Sequence, residues 1–112
     1  MSLPSPIPTD LAEMIAARLR VIGDPTRIRI LDLLREGELP VATITERLET
    51  SQQNASKHLG ILLQAGIVAR RKEATSSYYR VADASVYALC EQVCGGISNR
   101  ISELNALVEG TR

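Results

Sequence analysis

The stretch SQQNASKHLGILLQAGIV, residues Ser51 to Val68, has a polar first half and an apolar second half. Serine is a residue type that caps helices, and the glycine at Gly66 is one that ends them, so the stretch predicts a helix over most of its length. At 100° per residue the apolar side chains of this helix fall on one stripe, which predicts a buried face. The stripe consists of Ala55, Leu59 and Leu62, with Leu63 at its edge.

The opposite face of this helix carries short amide, hydroxyl and ammonium groups. These groups suit the major groove of DNA, because Asn and Gln can make paired hydrogen bonds to adenine, Lys can donate to guanine, and Ser can contact bases or phosphates. The exposed helix N-terminus adds backbone N–H groups that can bind a phosphate. The alternative is that these side chains only solvate an exposed helix. The residues of this polar face are Gln53, Ser56, Lys57 and Gly60, with Asn54 on the flank.

The elements on either side of the stretch favour DNA binding. Val41 to Leu48 predicts a short helix that ends just before Ser51, so the two helices form a helix-turn-helix with a tight turn. Ile67 to Arg71 and Ser77 to Val81 are β-prone runs separated by a polar tip of five residues, which predicts a hairpin wing. Its basic residues, which we expect beside the DNA backbone, are Arg70, Arg71 and Lys72.

Three further helices are predicted around this unit. One lies before Gly23, a second runs from Pro25 to Arg35, and the last begins at Asp83 or Ser85 and continues to about Val108. The predicted fold is therefore mainly α with a small β-hairpin wing, a winged helix-turn-helix.

Length and composition bound the class of protein. A chain of 112 residues with 45% hydrophobic content suffices for one domain with a modest core. We expect a flexible leader over residues 1–8 and a single DNA-binding and dimerisation domain over residues 9–108. No apolar run is long enough to cross a membrane and the N-terminus lacks the features of a signal peptide, so the expected location is the cytoplasm.

The net charge is zero, but the charges are unevenly distributed. Residues 51–80 contain five basic residues and one acid, a net charge of +4, so the remainder of the chain carries −4. A basic segment that coincides with a predicted helix-turn-helix and wing is the electrostatic signature of a DNA-binding face, although a charge run is often only a solvated surface.

With these motifs the sequence resembles the ArsR/SmtB family of winged helix-turn-helix repressors. The resemblance covers about Leu11 to Leu104 and rests on DPTRIRILDLL (Asp24 to Leu34), on the opening stretch and on RRKEATSSYYRV (Arg70 to Val81). It implies a prokaryotic homodimeric repressor that binds an inverted-repeat operator near its own promoter and is released by an inducer. The DNA-contact positions that it implies are Ser51, Gln52, Gln53, Asn54, Ser56, Lys57 and His58, supported by wing residues near Arg71 and Tyr79.

His58 is the only histidine of the chain and lies at the margin of the apolar stripe. Three roles stay open at this position: a packed and hydrogen-bonded side chain, a phosphate contact, and a metal ligand.

The last predicted helix carries an apolar stripe from Val86 to Val108, longer than one small core requires. Together with apolar residues of the first helix it predicts a homodimer interface. Two-fold symmetry then places two recognition helices about one DNA turn apart, on the order of 34 Å. The expected interface residues are Leu11, Ile15, Leu19, Val86, Leu89, Val93, Ile97, Ile101 and Leu104.

Cys90 and Cys94 stand at positions i and i+4 of the last helix. Their sulfur atoms lie on neighbouring turns, close enough to share a thiophilic metal ion but poorly placed for a disulfide with each other. The pair can pack as small hydrophobic side chains, act as a thiol sensor through oxidation or persulfidation, or bind a metal ion together with the same pair of a second protomer.

Two metal sites that occur in the family are missing from this sequence. The run ELPVAT, residues 38–43, has Pro40 and Ala42 where a Cys-x-Cys motif would supply thiols, and no histidine follows His58. No cofactor is therefore required, and a thiophilic ion at the two cysteines is the one metal site considered.

An enzyme is the least supported class. The sequence has one histidine, no phosphate-binding glycine loop and no acid–base constellation near a cysteine. Two alternatives to an inducible repressor stay open: a winged-helix adaptor that binds protein, and a repressor without a small-molecule inducer. An adaptor should tolerate neutralisation of Lys57, Arg70 and Arg71, whereas a DNA-binding protein should lose affinity and show a shallower salt dependence.

Overall fold

The computed structural model describes residues 2–110, which form five α-helices and a three-stranded antiparallel sheet. The fold class predicted from the sequence, mainly helical with a small antiparallel wing, is confirmed. The elements are α1 (Thr9–Ile22), α2 (Pro25–Leu33), β1 (Leu39–Pro40), α3 (Val41–Leu48), α4 (Gln52–Gln64), β2 (Val68–Glu73), β3 (Ser76–Val81) and α5 (Ser85–Gly110), with a 3-10 turn at Leu34–Glu36 after α2.

The start of α2 is fixed by its cap. The Oδ1 atom of Asp24 accepts hydrogen bonds from the backbone N–H groups of Thr26 (2.9 Å) and Arg27 (3.1 Å), and Pro25 occupies the first helical position, where no N–H partner is needed. The α-helix ends at Leu33, and the chain continues to Glu36 as a tighter 3-10 turn rather than as the α-helix predicted to Arg35.

The helix-turn-helix is formed by α3 and α4, as the sequence predicts. At the end of α3, Glu49 adopts a left-handed backbone conformation (φ 54°) that turns the chain. Ser51 then caps α4, its Oγ atom accepting a hydrogen bond from the N–H of Asn54 (3.1 Å). Three residues therefore suffice to reverse direction and to begin α4 against α3.

The hydrophobic core lies between the helices and one face of the sheet. It draws on the end of α1, on α2, α3, α4 and the sheet, and on the first turn of α5, so α4, the recognition helix, packs against a core shared by all these elements. The buried core residues are Ile22, Ile30, Leu31, Leu34, Ile44, Leu48, Leu59, Leu62, Ile67, Val68, Tyr79 and Val86.

The wing differs from the prediction in two respects. The strands β2 and β3 pair as far as Glu73 and Ser76, so the tip has two residues rather than five. Backbone pairing overrides the low β-propensity of the polar residues at this end. A short strand, β1, also pairs with β3 through Leu39 and Pro40; two residues carry no alternation from which a strand can be predicted.

The last helix, α5, extends well beyond the core. All residues from 91 to 110 are exposed in the protomer, and only Val86 of this helix is buried. Within residues 2–110, no helix is both long enough and apolar enough to cross a membrane.

Candidate nucleic-acid interface

The two faces of α4 are separated by burial. Its apolar residues Ala55, Leu59 and Leu62 are 0% exposed, so they hold the helix on the core. The opposite face lies on the molecular surface, with side chains short enough to approach a DNA groove. The exposed residues of this face are Ser51, Gln52, Gln53, Ser56, Lys57 and Gly60.

The N-terminus of α4 is also on the surface. The first turn of any helix has backbone N–H groups without an intrahelical partner. In α4 the hydroxyl oxygen of Ser51 accepts a hydrogen bond from one of them, the backbone N–H of Asn54. The side chain of Asn54 is half-buried, and its Nδ2 atom donates to Thr50 Oγ1 at 2.9 Å. Asn54 therefore stabilises the turn before α4, a role that the sequence pattern does not reveal.

His58 lies inside the protomer, and its expected contact with DNA is corrected. The residue is 9% exposed, and its Nδ1 atom lies 3.0 Å from Nη1 of Arg27. In the second turn of α4 this side chain faces α2, which agrees with its place at the margin of the apolar stripe. Of the three roles left open by the sequence, the packed and hydrogen-bonded histidine is the one that the structure shows.

Tyr79 is likewise a core residue rather than a surface contact of the wing. It is 6% exposed and pairs with Leu39 of β1. Side chains alternate between the two faces of a strand, so the ring of Tyr79 faces the helices while its neighbour Arg80 is exposed. The expected DNA contact at Tyr79 is therefore wrong.

Arg71 is exposed, but its charge is paired within the protomer. Its guanidinium forms ion pairs with Glu38 (2.6 Å) and Glu73 (2.7 Å), and it stacks over the ring of Tyr78 at 4.6 Å. The hydrogen bonds from Arg71 lower the pKa of Glu38 below its ordinary value. Glu38 was missed by the sequence reasoning because it is 33 residues away in the chain.

The other basic residues of the segment 51–80 lie on the molecular surface. Lys57 on α4, Arg70 and Lys72 on β2 and Arg80 on β3 are all exposed. A positive surface of this kind attracts the phosphate backbone of DNA.

The residues expected at a dimer interface fall into two groups. Val86 is 2% exposed and belongs to the core of the protomer, so its assignment to the interface is corrected: the first turn of α5 packs inward before the helix leaves the core. The exposed group is Leu19, Val93, Ile97, Ile101 and Leu104, and Leu11, Ile15 and Leu89 are half-buried.

An apolar groove of about 320 Å³ runs between the end of α1, the start of α2 and α5. Cys90 and Cys94 lie in its wall, Cys90 half-buried and Cys94 exposed. In the part of the chain that the structure describes, no three His, Cys, Asp or Glu side chains of one protomer come together as a metal site. Because Cys94 is exposed, packing within the protomer does not account for it.

An exposed polar recognition helix, held by a buried apolar face and flanked by a basic two-stranded wing, defines a winged helix-turn-helix DNA-binding protein. Residues 22–71 match a family model described as a helix-turn-helix domain. The chain is 42% identical over 82 residues to the uncharacterised HTH-type transcriptional regulator MJ1325 of Methanocaldococcus jannaschii, covering 72% of this chain and 92% of the relative.

Two further similarities specify the family. The HTH-type transcriptional repressor SmtB of Mycobacterium tuberculosis is 33% identical over 82 residues, covering 73% of this chain and 61% of the relative. The homodimeric winged helix-turn-helix DNA-binding domain Mb0332 of Mycobacterium bovis, described as a possible ArsR-family regulator, aligns with a TM-score of 0.70 at 32% identity over 85% of this chain and 91% of that one. The chain belongs to the ArsR/SmtB family of transcriptional regulators.

Proposed function

We propose that this regulator is a homodimeric repressor that binds an inverted-repeat operator near its own promoter. The observation that carries the proposal is the exposed polar N-terminal half of α4, which stands beside a basic wing while its other face is fully buried. The name of the relative SmtB, a repressor, supports the direction of regulation. A regulator of this kind acts where the chromosome is, which for a prokaryotic protein is the cytoplasm.

The homodimer is supported by the apolar surface that one protomer leaves exposed. Val93, Ile97 and Ile101 on α5 are each more than half exposed, and Leu19 on α1 is 48% exposed. A second copy covers these side chains best, because a two-fold axis pairs the same apolar patch with itself. The solved structure of Mb0332 is that of a homodimer, which agrees with this arrangement.

The dimer gives the operator its expected symmetry. Two recognition helices related by a two-fold axis contact two half-sites of opposite orientation, so the operator is an inverted repeat with half-sites about one helical turn apart. Gln53, Ser56 and Lys57 are the proposed base contacts. Ser51, Gln52 and the helix N-terminus contact phosphates, as do Arg70 and, once released from its carboxylates, Arg71 of the wing.

The release step is assigned to Cys90 and Cys94. In persulfidation a cysteine thiolate attacks a sulfane sulfur of a polysulfide, so that an S–S bond forms on the protein and a polysulfide shorter by one sulfur leaves. The added sulfur enlarges a side chain in the groove between α1 and α5, next to the apolar face of α5. A thiophilic metal ion bound by both protomers is the alternative inducer at the same residues.

The proposed function is tested by fluorescence anisotropy. Reduced protein is titrated onto a labelled fragment from upstream of its own gene and onto scrambled DNA of equal length, before and after addition of polysulfide or a thiophilic metal ion. We expect selective binding that these additions abolish. Cys94→Ser should bind the operator as the unsubstituted protein does and should resist release.

The outcomes separate the open alternatives. If selective binding is unchanged by polysulfide and by the metal ion, the protein is a repressor without a thiol inducer, and the two cysteines have only a packing role. Equal binding to operator and scrambled DNA at every salt concentration favours the protein-binding adaptor. Transcription of a reporter from the same fragment should fall when the protein is present, and an increase would contradict repression.

A further inference from the structure

Arg27, in the first turn of α2, joins three parts of the fold. Its backbone N–H donates to the capping carboxylate of Asp24 at 3.1 Å. Its guanidinium donates from Nε to the carbonyl oxygen of Val21 and from Nη2 to that of Arg20 (3.3 Å), both near the end of α1. Its third nitrogen, Nη1, lies 3.0 Å from Nδ1 of His58 on α4.

The contact between Arg27 and His58 constrains which imidazole nitrogen accepts the hydrogen bond. A guanidinium group has donors and no acceptor, so the Nδ1 atom that faces it must accept. This donor–acceptor geometry corresponds to the tautomer that carries its proton on Nε2. A protonated imidazole has no lone pair at Nδ1 and would face the guanidinium with a second positive charge.

We propose that Arg27 and His58 position the recognition helix, and that operator binding requires the neutral, Nδ1-accepting form of His58. The proposal rests on the proposed function, because it concerns how α4 is held for DNA. His58 lies one residue after the exposed Lys57 and three residues before Ile61, in the middle of the helix that carries the base contacts. Through Arg27, His58 is linked to the end of α1, and this link fixes the rotation of α4 relative to the helix that contributes Leu11, Ile15 and Leu19 to the expected dimer face.

The charged groups that face His58 act in opposite directions. Arg27 opposes protonation, whereas the carboxylate of Asp24, with its Oδ1 atom 3.9 Å from Nδ1, favours it. That same Oδ1 atom already accepts the two capping hydrogen bonds of α2. Within residues 2–110, His58 has no further hydrogen-bond or ion-pair partner from α1, α3 or β2. Protonation therefore breaks the link to Arg27 and draws Asp24 away from its cap.

The chain offers an unusually clean test, because His58 is its only histidine. Nitrogen NMR of 15N-labelled protein at about pH 7.5 reports the tautomer directly, since neutral imidazole carries its proton on one nitrogen only. We expect an Nε2–H imidazole with an unprotonated Nδ1. An Nδ1–H tautomer would overturn the proposal, and this measurement does not depend on DNA binding.

Two substitutions separate positioning from general stability. In His58→Asn the amide oxygen takes about the place of Nδ1 and can accept from Arg27, but it does not gain a proton at mild acidity. His58→Leu keeps an apolar side chain and has no acceptor. Circular dichroism and thermal unfolding establish whether each variant folds. If His58→Leu does not fold, the proposal is still tested by His58→Asn and by the tautomer of His58.

Operator affinity is then measured at about pH 7.5 and about pH 5.5, a range over which histidine is the side chain expected to titrate. We expect the unsubstituted protein to lose about tenfold in affinity on acidification, an effect of one disrupted charge-assisted hydrogen bond. His58→Asn should keep the neutral-pH affinity and lose the pH dependence, and His58→Leu should be weak at both pH values. A pH dependence in His58→Asn equal to that of the unsubstituted protein, or full affinity in His58→Leu, overturns the proposal.

Failure of the proposed function is distinguishable from failure of this inference. If the unsubstituted protein binds no operator at any pH, the repressor assignment fails. The positioning role is then tested by hydrogen exchange of the α4 amides. A loss of protection at acidic pH in the unsubstituted protein but not in His58→Asn supports the role. The same change in protection in both proteins contradicts it.

Discussion

Arg71 in the wing and Glu38 directly before β1 form a bidentate ion pair. The Nε atom of Arg71 lies 2.9 Å from both carboxylate oxygens of Glu38, and Nη2 lies 2.6 Å from Oε1. Arg71, a positively charged residue of the wing that could contact a DNA phosphate, is thus paired with Glu38 of the same protomer. DNA must either displace Glu38 or bind beside a neutralised pair.

We expect Glu38→Gln to raise affinity for DNA, because it removes the carboxylate that competes with phosphate for Arg71. The gain should be severalfold on operator and scrambled DNA alike, and the slope of log affinity against log salt should steepen by about one phosphate contact. Anisotropy titrations at several salt concentrations measure both quantities. Glu36→Gln, which removes the same charge from the adjacent 3-10 turn, is the control. Weaker binding by Glu38→Gln alone would show that Glu38 orients Arg71 for DNA instead.

The exposed amide of Gln53 should carry sequence specificity. If it makes a paired contact to a base, Gln53→Ala should cost roughly 1 to 3 kcal/mol on the operator and much less on scrambled DNA. Lys72→Ala is the matched comparison, because a phosphate contact should weaken binding to both DNAs by the same factor and make the salt slope shallower. An equal loss on both DNAs for Gln53→Ala would assign this residue to the backbone as well.

The recognition helix illustrates what local sequence determines. Ser51, the apolar stripe and Gly66 together predicted the helix, its cap and its buried face, because all of these depend on neighbours within a few residues. The same reasoning placed Val41–Leu48 with the observed bounds. Capping and 3.6-residue periodicity are short-range effects, so one sequence suffices to predict them.

The contacts that the sequence did not reveal are those between distant segments. Glu38 meets Arg71 across 33 residues, and Arg27 meets His58 across 31. Val86 was misplaced for a related reason: the pattern shows that a residue is apolar, but only the packed fold shows whether its own protomer or a partner covers it. The contact at Tyr79 was implied by the family resemblance, which does not show which face of the strand this side chain occupies.

The exposed apolar face of α5 predicts that dimerisation can be removed without unfolding the protomer. Ile97 is 57% exposed, so Ile97→Glu leaves the core unchanged and puts a charge into the expected interface. We expect sedimentation equilibrium to show a monomer, and operator affinity to fall by more than tenfold because one half-site binds alone. Asn99→Glu, which adds the same charge two residues along the same exposed helix, should remain dimeric. A dimeric Ile97→Glu would place the interface elsewhere.

The start of α5 should make stability depend on pH in the acidic range. Hydrogen bonds from the hydroxyl and N–H of Ser85, together with the ion pair to Arg18, lower the pKa of Asp83 below its ordinary value. A carboxyl whose pKa is lower in the folded state stabilises the fold above its unfolded pKa, and this contribution is lost as the pH falls through the folded value. The unsubstituted protein should therefore lose stability below about pH 4.

Asp83→Asn should cost roughly 1 kcal/mol near neutral pH, as expected for weakening a helix-start cap, and the difference from the unsubstituted protein should shrink toward pH 2.5 or so. Urea unfolding at one fixed protomer concentration measures this difference, because a dimer's apparent stability depends on concentration. Asp32→Asn is the control: it removes a carboxylate from a largely exposed pair with Arg35 and should change stability by only a few tenths of a kcal/mol. Parallel stability curves for Asp83→Asn and the unsubstituted protein across this range would mean that the Asp83 carboxylate does not stabilise the start of α5.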